Sequence, residues 1–345
     1  MRGLQQRCSR KWGAQAPPFL SNRSTNMQVY RVTPGSQIEG LQRYEEQAAA
    51  LGHNDVRVRV RAVSLNYRDL MLVRGRYGVG GDRKVIPCSD GAGEVIAVGS
   101  AVTEVKAGDR VAASFFPHWN DGRPTAENCR APLGAYQDGM LAQEVTLPAH
   151  SLVRVPPELT DVEAATLPCA GVTAWNALFV SSALRPGETV LLLGTGGVSI
   201  FALQLAHAAG LRTIITSWSD AKLERARALG AQHTINYRSN PEWQDEVLRF
   251  TGGRGVDLVV EVGGENTLER SVQATAPGGN VAVIGGVSGF AGKFAPFQLV
   301  PGSRRLSGVN VGSRKMLEDL AGFIAGAGIK PVVDQVFGLT RPSML

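Results

Sequence analysis

The sequence predicts an α/β protein: a β-rich domain followed by a doubly wound, parallel-sheet domain. Three observations carry this. The chain has 345 residues, more than one ordinary core holds and enough for two. Its rhythm changes after Pro156-Pro157, from short alternating strands to apolar strands separated by helices. Finally, Gly194-Thr195-Gly196-Gly197-Val198-Ser199 stands between a buried strand and a helix, where a nucleotide-binding turn belongs. Hydrophobic residues make up 43% and charged residues 19%, which excludes a disordered chain. Glycine, at 41 residues, exceeds its usual share of about 7% and has no fixed period, as many tight turns require.

Residues 1–26 form a tail unlike the rest. They hold Arg2, Arg7, Arg10, Lys11 and Arg23, and the first acid of the chain is Glu39. The tail therefore carries most of the formal charge of +6, and the body is nearly neutral. No nucleic-acid partner is expected from so even a body. The tail lacks the apolar run of a secretory signal. The plainer reading is a start codon assigned upstream of Met27; the other is an organelle transit segment. Cys8, Cys88, Cys129 and Cys169 contain no C-x-x-C pair, which argues against a disulfide framework and a four-cysteine zinc site. A cytoplasmic location is expected. Residues 189–211 hold no Asp, Glu, Lys or Arg, but Gly194, Gly196 and Gly197 interrupt them, so no membrane span is expected.

Residues 27–156 read as the β-rich domain. Val56-Arg57-Val58-Arg59-Val60-Arg61-Ala62-Val63 alternates apolar and basic residues, the mark of a half-exposed strand. Residues 91–99 and 109–113 read as further strands between glycine turns, and 117–138 as loop. In residues 157–325 strands are expected at 189–193, 211–216, 233–235, 258–262, 280–285 and 306–311. Helices are expected at 199–209, 220–229, 242–250 and 315–324. Short apolar strands alternating with helices make a parallel sheet covered on both faces.

In the glycine loop, Gly194 permits the tight turn and Gly196 a close approach to a pyrophosphate, which the following helix N-terminus favours. Thr195, Gly197 and Val198 complete this expected contact. Ser199 stands where a third glycine is usual, and it is small enough for helix–strand packing. An acid at the end of the second strand would bind the ribose of NADH and repel a 2′-phosphate. Ser217, Ser219 and Lys222 occupy that region instead. NADPH is therefore expected in preference to NADH.

Taken together, these features resemble the medium-chain dehydrogenase/reductase superfamily from about residue 27 to 337. The matching residues include Ser64-Leu65-Asn66-Tyr67-Arg68-Asp69, Gly91-Ala92-Gly93-Glu94-Val95, Lys106-Ala107-Gly108-Asp109-Arg110-Val111, Leu167-Pro168-Cys169-Ala170-Gly171 and Glu261-Val262-Gly263-Gly264. The resemblance implies a GroES-like catalytic domain, a Rossmann domain and a cleft between them. It adds Tyr237, Val262, Gly263, Ile284 and Gly285 to the cofactor site. Zinc-dependent members carry Cys where this chain has Asn66 and His-Glu where it has Ser89-Asp90; only Cys169 matches a ligand position. The expected metal is therefore none, as in the quinone oxidoreductase and enoyl reductase branches.

Without a Lewis acid, hydride addition is easiest where conjugation spreads the developing charge, as in quinones and α,β-unsaturated carbonyls. Family position makes Tyr67 and Asn66 the candidates to assist the substrate, with Tyr77 and Thr173 behind them. The implied activity is an NADPH-dependent, zinc-independent oxidoreductase acting on a small-molecule quinone, enone or related carbonyl. Alternatives are a zinc-less alcohol dehydrogenase-like enzyme with another substrate and a non-catalytic NADPH-binding protein. Relatives dimerise across the Rossmann sheet edge, here residues 306–311, which implies a homodimer. Residues 326–345 read as a shortened return to the catalytic domain.

Overall fold

The computed structural model describes residues 26–291 and 294–339. Nearly all of the basic tail and the last six residues, on which two sequence expectations fall, lie outside the described residues. The first domain contains β1 (Asn26–Arg31), β2 (Gln42–Gln47), β3 (Asp55–Ser64), α1 (Tyr67–Val73), β4 (Asp90–Val98), β5 (Arg110–Ala113), β6 (Glu144–Pro148) and β7 (Leu152–Arg154). A five-stranded antiparallel sheet runs β6-β3-β4-β5-β7, beside the β1-β2 ribbon. In β3, Val56 and Val58 are fully buried. Arg59 and Arg61, which follow, are exposed, and Arg61 pairs with Glu94 at 2.8 Å and Arg59 with Glu144 at 3.8 Å on the adjoining strands. Period-two alternation thus becomes one apolar face and one charged face.

Next come α2 (Asp161–Ala165) and α3 (Val172–Trp175), with π-helical turns at Leu167–Gly171 and Asn176–Ser181. The second domain contains β8 (Thr189–Leu192), α4 (Gly197–Ala208), β9 (Arg212–Ser217), α5 (Asp220–Ala228), β10 (His233–Asn236), α6 (Trp243–Phe250) and β11 (Val256–Glu261). It continues through α7 (Leu268–Ala274), β12 (Thr275–Val283), β13 (Arg305–Gly308) and α8 (Arg314–Ala327). Its six strands are parallel in the order β10-β9-β8-β11-β12-β13. Successive residues of β8 and β11 serve opposite faces. Val190, Leu192, Leu258 and Val260 pack with α4 and α8, while Leu191 and Val259 pack with α6 and α7. Strands buried on both faces explain the continuous apolar runs.

The sequence pattern missed α1, α2, α3 and α7, all short, and the strands β2, β6 and β7. Strand β12 begins at Thr275, five residues earlier than expected. Strand β13 ends at Gly308 rather than 311; shortly after it Val311 adopts φ 57°, outside any strand conformation. Among the described residues, no helix is long and apolar enough to cross a membrane.

Two glycines separate packing from flexibility. A Cβ on Gly99 would sit 2.2 Å from Gly52 O and 2.3 Å from His53 O, whereas one on Gly322 of α8 would meet nothing within 4 Å. In urea unfolding, Gly99→Ala is expected to cost more than about 1 kcal/mol. Gly322→Ala should add about 0.5–1 kcal/mol. Equal responses would contradict this packing.

Candidate active site

The parallel sheet reverses its order between β8 and β11, so the loops leaving their carboxyl ends diverge and open a crevice. Gly194 leaves β8 with φ 71°, and Gly196 caps α4. A Cβ on either would meet nothing within 4 Å, which leaves the approach to the helix N-terminus open. Gly197 has another reason: a Cβ there would lie 3.3 Å from Ala170 Cβ, on the turn that joins the domains. Ser199 is buried and its Oγ donates to Leu193 O at 2.6 Å, so the third loop position does pack helix against strand. These residues fit a dinucleotide pyrophosphate.

Ser217 ends β9 beside this loop, 3.3 Å from Thr195 Oγ1, and its Oγ accepts from Ser219 N at 3.4 Å. Tyr237 N donates to Ser217 O at 3.0 Å, which brings Ser217, Ser219 and Tyr237 together. Between them Trp218 is a platform, with Lys222 Nζ 5.7 Å and the Arg238 guanidinium 4.4 Å from its ring centre. Sequence reasoning missed Arg238; a basic residue directly after Tyr237 was the available signal. On the other side of the crevice, Val262 and Gly263 follow β11, and Ile284 and Gly285 follow β12. Ile284 N and Gly285 N both donate to Glu261 O, at 2.8 and 3.3 Å.

A cleft of about 710 Å³ lies between the domains. Asn66 and Tyr67 line it from the start of α1, and Gly197 and Val198 line it from the glycine loop. Residues 332–339 form another wall and reach the first domain, where Tyr30 Oη donates to Leu339 O at 2.6 Å. Tyr67 is 48% exposed. Asn66 Nδ2 is buried beside the Asp90 carboxyl, which it helps to stabilise, while Asn66 N donates to Asp69 Oδ2 at 2.8 Å. Tyr77 and Thr173 are not among the lining residues. Tyr77 packs on Arg68, and Thr173 Oγ1 donates to Cys169 O at 2.7 Å.

Next to Asn66 is a buried charged group that sequence reasoning missed. Arg68 is held between the rings of Tyr77 and Phe115, at 4.5 and 4.9 Å, donates to Leu133 O at 2.9 Å and lies 3.6 Å from Asp69. Burial raises the pKa of Asp69 against the pull of Arg68, and burial also raises Tyr77. Asp90 is fully buried. Desolvation pushes it up to about 7, although Ser89 Oγ donates to it at 2.6 Å and Cys169 N at 2.9 Å. Burial also drives the Cys169 thiol well up.

Asn66, Asp90 and Cys169 do converge, but they are a poor metal site. They offer one thiol and one carboxyl, with both carboxyl oxygens already engaged, and no imidazole. Among the described residues, no three His, Cys, Asp or Glu side chains are grouped to share an ion.

A glycine-loop crevice facing a cleft between a Rossmann sheet and a β-rich domain defines an NAD(P)-dependent oxidoreductase. Residues 52–157 match the alcohol dehydrogenase GroES-like domain, and 197–326 match the zinc-binding dehydrogenase family. A zinc-type alcohol dehydrogenase-like protein of Schizosaccharomyces pombe is 44% identical over 293 residues, covering 83% of this chain and 85% of its own. A quinone oxidoreductase of Pseudomonas aeruginosa is 34% identical over 314 residues, covering 88% and 90%. The crystal structure of an NAD-dependent alcohol dehydrogenase superposes with a TM-score of 0.80 at 32% identity, covering 89% and 91%. The chain belongs to the medium-chain dehydrogenase/reductase superfamily and is an oxidoreductase.

Asp90 gives the site a pH signature. Folded, it keeps its proton up to about pH 7; unfolded, only below about pH 4. Between those values the folded state binds one more proton, so this group's contribution to stability falls as pH rises. Asp90→Asn is expected to remove that decline. Urea midpoints of both proteins across this window check it, and identical slopes would contradict it.

Proposed function

We propose that this chain is an NADPH-dependent, zinc-independent reductase of quinones, α,β-unsaturated carbonyls or related carbonyl compounds. The carrying observation is that Asn66 and Tyr67 line the same cleft as the glycine loop. NADPH, when bound, supplies a hydride to the acceptor carbon. The chain's part is to bind the acceptor, stabilise its oxygen and return a proton. Asn66 lines the cleft, and its Nδ2, buried beside Asp90, turns to donate to the acceptor oxygen as negative charge develops there. Tyr67, which is half-exposed and lines the cleft, delivers the proton from its hydroxyl. Hydrogen bonds suffice for this because conjugation spreads the charge.

The cofactor preference is supported by Ser217 at the end of β9, where an acid would serve NADH, and by the cations Lys222 and Arg238 on Trp218. Zinc independence is supported by Asn66 and Ser89 at positions where a metal site needs thiolate or imidazole. The resemblance to a quinone oxidoreductase agrees with the acceptor class.

Dialysis against a chelator is expected to leave NADPH oxidation with a quinone and enone panel unchanged. Loss of activity restored by zinc would overturn the metal-free reading, and binding without turnover on the whole panel would overturn the acceptor class. Ser217→Asp should weaken NADPH and strengthen NADH; an unchanged preference contradicts the cofactor assignment. Tyr67→Phe should lower turnover about a hundredfold with little change in KM. Unaltered turnover would remove Tyr67 as proton donor.

A further inference from the structure

Glu261 ends β11 in the middle of the parallel sheet and has no exposed surface. A carboxylate so placed loses its hydration and persists only if protein donors replace the water. Here four do. Oε1 accepts from Gly263 N at 2.7 Å, Gly264 N at 3.0 Å and Thr267 Oγ1 at 2.7 Å, while Oε2 accepts from Ser271 Oγ. All four belong to residues 263–271, so the side chain dictates the path of one loop. Gly263 shows how closely: a Cβ there would lie 2.3 Å from Thr267 Oγ1.

The main chain of Glu261 holds the neighbouring loop. Its carbonyl accepts the Ile284 and Gly285 amides, and the two loops are then joined by Ser288 N to Gly263 O at 2.7 Å and Glu265 N to Gly289 O at 3.0 Å. The equivalent ends of β8 and β12 are apolar, at Leu192 and Val283, so strand packing alone does not call for an acid. What the acid adds is a defined shape for residues 262–267 and, through its carbonyl, for 284–285.

The geometry points to Glu261 as the positioning residue for the nicotinamide half of the cofactor. This rests on the NADPH reading above, which puts the adenosine end beside β9 and the pyrophosphate at the loop after β8. The remaining half of the dinucleotide then lies on the β11–β12 side of the crevice, against the two loops that Glu261 shapes. Glu261 touches no reacting atom; it acts through the backbone of Val262, Gly263, Ile284 and Gly285.

The test compares NADPH with 2′,5′-ADP, which carries the adenosine end alone, by calorimetric titration of the full chain. Glu261→Gln is expected to weaken NADPH about tenfold and leave 2′,5′-ADP within about twofold. It should raise the KM for NADPH more than the KM for the acceptor. Thr267→Val, which removes one donor and keeps the shape, should show the same selectivity more weakly, and it carries the test if Glu261→Gln does not fold. Equal weakening of both ligands, or a lowered melting temperature with both affinities unchanged, overturns the inference. Failure of wild-type protein to bind 2′,5′-ADP would instead overturn the NADPH reading beneath it.

Discussion

A buried hydrogen bond beside the site joins its two halves: Cys169 N to Asp90 Oδ2, at 2.9 Å. Asp90 opens β4 in the first domain. Cys169 lies in the π-helical turn that leads to the second. The same turn carries Ala170 against Gly197 of the nucleotide loop, close enough that the loop admits no larger residue without moving. Asn66 and Tyr67 therefore face the glycine loop across a cleft whose width is set by buried contacts. π-helical turns recur at functional sites because they redirect side chains at some cost in regularity. The pair Leu167–Gly171 and Asn176–Ser181 does this here, with Asn176 Nδ2 donating to Val311 O at 2.7 Å behind it.

The remaining constraint is topological. A parallel sheet that reverses order at β8 and β11 presents diverging loops at its carboxyl edge, and a long ligand can lie along them. Each loop along that edge is held by a different device. The first uses glycines and the buried Ser199. The second uses Ser217 and the Trp218 platform. The third uses the carboxylate of Glu261. Preorganising these loops before the ligand arrives reduces what binding must spend on ordering.

Much of the fold was legible because both-face burial writes itself as uninterrupted apolar strands, as in β8 and β11. The glycine loop was legible because strand, turn and helix are contiguous. Residues joined only by folding were not: Asp90 meets Cys169 across 79 positions, and Asn280 reaches Ser182 across 98. Helix α1 was hidden by its seven residues and its β-like surroundings, although Asn66 and Asp69 had the spacing of a helix start. Glu261 belongs to a matching motif, yet nothing in its neighbours revealed that it would be buried or that four donors would meet it. Nothing in the neighbours of Arg68 likewise revealed that folding would set it between two rings.

The central claim is that the cleft carries a hydride from NADPH to a conjugated acceptor. Incubating the purified chain with an enone and NADPH deuterated at C4, separately in each stereochemical form, tests it directly by mass spectrometry of the product. The account predicts that one of the two forms places a single deuterium on the β-carbon of the saturated ketone. A product free of deuterium with both forms, or label appearing only in solvent-exchangeable positions, would contradict it.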